Sequence, residues 1–111
     1  MANISPSGST HEAKQQRRQQ DPEYARIERE LAPYEGIARI VLRHRAERGI
    51  TQQELATLVG TSHTAISRIE NGRHKSKPEI LSKIATAFGM HFVMGFESGP
   101  DDAPIRELVR T

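Results

Sequence analysis

The sequence contains no cysteine, which excludes a disulfide framework and any thiolate metal site. No apolar run approaches the ~20 residues of a membrane-spanning helix, and the N-terminal residues contain no hydrophobic segment resembling a signal peptide. A soluble, cytoplasmic protein is therefore expected. Reactive constellations are missing as well. His11, His44, His63, His74 and His91 are scattered, with no HxxxH or HExxH spacing and no glycine-rich phosphate loop. Neither catalysis, a metal nor a cofactor is expected from such a pattern. Neither sign of charge prevails: 16 Lys and Arg stand against 14 Asp and Glu, a net charge of only +2, so overall charge gives no argument for a nucleic-acid partner.

Apolar residues make up 35% of the 111 positions, and the mean hydropathy is −0.64. They concentrate between about residues 34 and 96, so one small ordered domain with polar ends is predicted. Residues 1–20, rich in Ser, Gln and Arg, cannot offset their ordering entropy and read as a flexible arm. Asp21-Pro22-Glu23 reads as a helix start, with Tyr24, Ile27 and Leu31 at helical spacing behind it. Pro33 should end or kink that helix, making residues 21–33 an N-terminal extension. A second pattern follows to Arg48, with Ile37, Ile40, Val41 and Leu42 expected on its buried side.

Thr51 and Glu54 have the spacing of a capping box. Leu55, Ala56, Leu58 and Val59 would form the inner face of a short helix ended by Gly60. Ser62 to Glu70 gives a further short helix, with Ile66 and Ile69 inward and Asn71-Gly72 as its stop. From Thr61 to Pro78 the charges are Arg68, Arg73, Lys75 and Lys77 against Glu70 alone, with His63 and His74 beside them. Such a segment is either a phosphate-facing surface or a solvated basic loop. Pro78 opens a last helix carrying Ile80, Leu81, Ile84, Ala85 and Phe88. In His91-Phe-Val-Met-Gly-Phe-Glu97 the period changes to two, a strand signature that singles out Phe92, Met94 and Phe96. A lone strand has no ladder partner, so it either pairs with its copy in a dimer or lies as an extended tail over the helices. Residues 98–111 read as a flexible tail, with one frayed turn between Pro104 and Arg110.

The string TQQELATLVGTSHTAISRIENG, with Leu55, Ala56, Gly60, Ile66 and Ile69 at their spacing, resembles the helix-turn-helix of the Xre family of phage Cro and cI type repressors. The likeness covers about residues 34–89. It implies an all-α, five-helix domain within residues 34–97, here with an extra N-terminal helix and a closing strand. It further implies a non-enzymatic homodimer that binds an inverted-repeat operator in double-stranded DNA. Carried onto this sequence, Gln52 would touch a phosphate and steady the residue opening the recognition helix. His63, Thr64 and Arg68 would read bases, with Ser62 and Ser67 flanking them; His63 alternatively touches phosphate. Asn71, Arg73, Lys75 and Lys77 would grip the backbone. Arg45 and Glu70 would form a partly buried ion pair, the alternative being two exposed charges.

The flanks, PEYARIERELAPYEG ahead of the motif and AFGMHFVMGFE behind it, resemble HigA-type antitoxins of bacterial toxin-antitoxin operons. That likeness implies a RelE/HigB-like ribonuclease toxin as partner, met through an added segment. The stripe of Tyr24, Ile27 and Leu31 either docks on such a partner or on the protein's own core. An Xre-type repressor without a toxin is the alternative.

Overall fold

The structure, a computed structural model, describes residues 13–15 and 21–111. The expected arm of residues 1–20 thus lies outside the described residues, apart from 13–15, which are helical. There follow α1 (Pro22–Glu47), α2 (Gln52–Val59), α3 (His63–Asn71), α4 (Pro78–Ala87), β1 (Val93–Ser98) and β2 (Ile105–Arg110). The chain divides into two compact units between Pro33 and Tyr34.

In the first unit, Asp21 opens α1. Its Oδ1 accepts from the backbone N–H of Glu23 at 3.0 Å and of Tyr24 at 3.3 Å, with Pro22 in the position where a missing N–H costs nothing. Arg26 then bonds Glu30 at 2.7 Å and also bonds Glu23. The helix does not stop at Pro33: it runs unbroken for 26 residues, so the extension and the first motif helix are one element. Pro33 forfeits the bond to the Arg29 carbonyl and its ring crowds that group, a cost of about 3 kcal/mol. Both residues are exposed, and water can satisfy that carbonyl. Burial departs from the apolar stripe, since Leu31 is 8% and Glu28 2% exposed, whereas Ile27 is 37% exposed.

The second unit holds the core. Val41, Leu55, Ala56, Val59, Ile66, Ile69, Leu81, Ile84 and Phe88 form one buried cluster. Leu58 is not part of it and is 65% exposed, because Leu55, Ala56 and Val59 already fill the i, i+1, i+4 face of α2 and position 58 turns away. Ile40 and Leu42 are likewise exposed where burial was expected; Val41 takes the inward position between them.

Helix ends follow the sequence closely. Thr51 and Glu54 form the reciprocal capping box, both bonds at 3.0 Å. Gly60, at φ 80°, closes α2 in the left-handed conformation and donates to the Ala56 carbonyl at 2.9 Å, a geometry that is strained for residues bearing Cβ. Gly72 is constrained twice over, because its φ is 70° and a Cβ there would sit 3.0 Å from the Glu35 Cα.

Strand β1 lies where the alternation placed it, but its partner is in the same chain. It pairs antiparallel with β2 in a register running from Val93↔Arg110 to Ser98↔Ile105. The expected lone strand and the expected flexible tail over 98–111 are both corrected by this hairpin, and the class becomes mostly helical with a small sheet. Ile-Arg-Glu-Leu-Val-Arg has no strong strand composition by itself; the backbone groups that it turns toward β1 are satisfied by the ladder.

Candidate nucleic-acid interface

Helix α3 presents two chemically different sides. Ile66 and Ile69 point into the core at 0% and 6% exposure, and Ser67 is half-buried. Ser62 caps the helix, its Oγ accepting from the Ala65 N–H at 3.1 Å, which satisfies one of the unpaired donors of the first turn. His63, Thr64 and Arg68 are exposed. Among the described residues, Thr64 and Arg68 make no side-chain hydrogen bond. They line, with Thr61, Ser62, Ser76 and Ile80, an open groove of about 330 Å³.

Behind this rim a polar chain joins three helices. Arg45 on α1 donates from Nε to Glu70 Oε2 at 2.8 Å, from Nη2 to Glu70 Oε1 at 2.9 Å, and from Nη1 to the Ile50 carbonyl at 3.0 Å. The Glu70 side chain is only 3% exposed, against 21% for Arg45, so the pair expected from the sequence is present, bidentate and mostly withdrawn from water. Hydrogen bonding to Glu70 raises the Arg45 pKa above its ordinary value, against the opposing effect of desolvation; the guanidinium therefore stays charged throughout the usable pH range.

Gln52, the first residue of α2, extends the chain. Its Nε2 donates to Glu70 Oε1 at 2.9 Å, and its Oε1 lies 2.8 Å from His63 Nε2. A carboxylate paired with arginine only accepts, so the Gln52 amide must turn its NH₂ toward Glu70 and its oxygen toward His63. His63 Nε2 must then carry the proton, which leaves Nδ1 an acceptor while the ring is neutral. The orientation of the first residue of α3 is thus fixed through Gln52 by a buried ion pair.

The loop after α3 gathers the remaining cations. Asn71 Oδ1 accepts from the Arg73 N–H at 2.8 Å, shaping the turn. Arg73 Nη1 pairs with Glu35 Oε1 at 3.1 Å, a contact across 38 positions of sequence that no local pattern signals. Lys75 and Lys77 are exposed, and Lys77 stands at the N-cap of α4 without a capping bond. Of the residues singled out from sequence, Gln52 opens α2, Ser62 caps α3, His63, Thr64, Ser67, Arg68 and Asn71 lie on α3, and Arg73, Lys75 and Lys77 follow in the loop behind it. Phe92, Met94 and Phe96 sit elsewhere, in and beside β1. Sequence reasoning missed Glu35, the Ile50 carbonyl and Thr61.

Residues 42–93 match the family model described as helix-turn-helix. A protein of Methanothermobacter thermautotrophicus, named an uncharacterized HTH-type transcriptional regulator, is 35% identical over 54 residues, which span 49% of this chain and 78% of that relative. The chain belongs to the helix-turn-helix family. Its Xre-like helix-turn-helix comprises α2 and α3, the two helices joined at Gly60. No solved structure matches the chain. The family match falls within the unit that begins at Tyr34 and leaves the first turns of α1, and β2, outside it. Among the described residues no three His, Asp or Glu side chains gather as a metal site, and no helix is long and apolar enough to cross a membrane.

Proposed function

We propose that this helix-turn-helix protein is a transcriptional regulator that reads duplex DNA with α3, acting as two copies on an inverted repeat. The observation that carries the reading is the division of α3 into a core-packed side and an exposed rim of His63, Thr64 and Arg68. Such a helix fits the major groove, where base edges differ in their pattern of donors and acceptors. Arg68 suits the O6 and N7 acceptors of guanine, and the Thr64 methyl suits the methyl of thymine. Neutral His63, with Nδ1 as acceptor, suits the exocyclic amine of adenine or cytosine. Ser62 and Ser67 flank these contacts. Gln52, Asn71, Arg73, Lys75 and Lys77 supply the phosphate side, which sets register and affinity without reading sequence. Footprinting of the chain on the DNA upstream of its own gene tests the proposal; protection of an inverted repeat supports it, and binding that is equal on scrambled DNA rejects it.

A second reading adds a partner. The resemblance of the flanks to HigA-type antitoxins, together with an exposed Ile27 beside half-buried Tyr24 on the part of α1 outside the helix-turn-helix match, supports neutralisation of a RelE/HigB-like ribonuclease toxin. Leu31, at 8% exposure, offers little surface to such a partner. Co-expression with the product of the adjacent gene separates the two readings: a stable complex lost on Ile27→Asp supports the antitoxin, and no complex leaves a repressor without a toxin partner.

A further inference from the structure

The hairpin is exposed on every residue of both strands, although an isolated two-stranded hairpin is only marginally stable in water. Paired residues share a face, so the register puts Met94 with Val109, Phe96 with Glu107 and Ser98 with Ile105 on one side. Phe96 is 83% exposed there. Beside the foot of the hairpin is an apolar groove of about 400 Å³, lined by Ile37, Ile40, Phe88, Met90 and Phe92 among others.

The outer edge of β1 has a defined hydrogen-bonding parity. The Thr111 N–H donates to the Phe92 carbonyl at 2.9 Å, which continues the β1–β2 register by one pair. Residues 92, 94 and 96 therefore turn their backbone groups toward β2, whereas 91, 93, 95 and 97 turn theirs outward. Among the described residues the sheet has only these two strands, so those outward groups have no ladder partner.

The sequence around Met94 is self-complementary when read antiparallel to itself. With a two-fold axis at Met94, His91 faces Glu97, Phe92 faces Phe96, and Val93 faces Gly95, each pair joining one residue from each copy. Every pair of outward-turned residues then meets another such pair, and an imidazole N–H can donate to the Glu97 carboxylate whether or not the ring is charged. An axis at Gly95 would instead oppose Val93 to Glu97 and Phe92 to Ser98. The β2 edge is less suited: an axis at Leu108 opposes Arg106 to Arg110, and one at Glu107 opposes two glutamates.

We propose that two copies of this chain join through β1 in this register, forming a four-stranded antiparallel sheet in which Phe96 of each copy lies against Phe92 at the mouth of the other's apolar groove. This specifies the pairing on which the inverted-repeat reading rests. The sheet extends the row Arg106–Glu97, paired at 2.6 Å, to His91 of the second copy. It also places an apolar side chain over each groove and pairs the free strand edges.

The chain has no cysteine, so a single introduced thiol reports the register. In Met94→Cys the two thiols would stand on Cα atoms about 4.5 Å apart, a non-hydrogen-bonded pair, within the disulfide range of roughly 4.4–6.8 Å. In Ser98→Cys they would be about 27 Å apart, eight residues of strand. Full-length protein without DNA is oxidised with copper-phenanthroline and run on a non-reducing gel, and Phe96→Asp is compared with the natural chain by sedimentation equilibrium. Expected are near-complete covalent dimer for Met94→Cys, little for Ser98→Cys, and a dimer dissociation constant raised at least tenfold by Phe96→Asp. A Met94→Cys chain that stays monomeric, equal cross-linking at both positions, or an unchanged dimer in Phe96→Asp would each overturn the proposal. Loss of DNA recognition by a correctly cross-linked dimer would instead fault the reading of α3.

Discussion

At the scale of single residues, the least replaceable side chain is Glu70. It is nearly fully buried, accepts from Arg45 and Gln52, and through Gln52 orients His63. Glu70→Ala would leave Arg45 partly buried without its counter-charge, a loss of about 3 to 5 kcal/mol. Urea unfolding checks this, and a change below about 1 kcal/mol would mean that the pair behaves as a surface bridge. Lys75 is the opposite kind of residue, exposed and on the loop after α3. Lys75→Ala should weaken binding to all sequences alike and reduce the salt slope by about one unit, as measured by titration at several salt concentrations. Arg45, Glu70 and Gln52 were legible in the sequence through the family pattern. The Arg73 pairing with Glu35 was not, because a contact across 38 positions leaves no periodic trace. Nor was the direction of the His63 proton, which follows only from seeing what lies on both sides of Gln52.

Elements were legible where local chemistry determined them. Thr51 with Glu54, Ser62, Gly60 and Gly72 mark the ends of α2 and α3, and the caps form there. Ser62→Ala should therefore cost about 0.5 to 2 kcal/mol, visible as a lower urea midpoint, and an unchanged midpoint would show that the Ala65 N–H finds another acceptor. Packing of α2 on α3 depends on Leu55 and Ile66, both at 0% exposure. Leu55→Ala should cost about 2 to 5 kcal/mol, depending on how far the cavity collapses. Two elements were misread for a shared reason: tertiary context outweighed local preference. Pro33 was expected to end or kink α1, yet the helix of 26 residues continues through it despite a local cost of about 3 kcal/mol. Ile105–Arg110 contains good helix formers but gains a one-sided ladder to β1 as β2.

At the scale of the whole molecule, fold and function connect through the two sides of α3. The side facing the core makes the helix rigid, and the side facing outward is thereby presented in one orientation, with its cations concentrated between Arg68 and Lys77 despite a net charge of only +2. Two copies related by a two-fold axis would recognise half-sites one helical turn, or a whole number of turns, apart; inserting half a turn between half-sites should abolish high-affinity binding. The central claim is that the rim of α3 reads bases. Its most direct test is affinity measured for the natural chain and Arg68→Ala across an operator in which every base pair is substituted in turn. The account predicts that Arg68→Ala loses about 1 to 3 kcal/mol on the natural operator and becomes indifferent at one base pair per half-site, whereas an equal loss on every substituted operator, with all preferences intact, would contradict it.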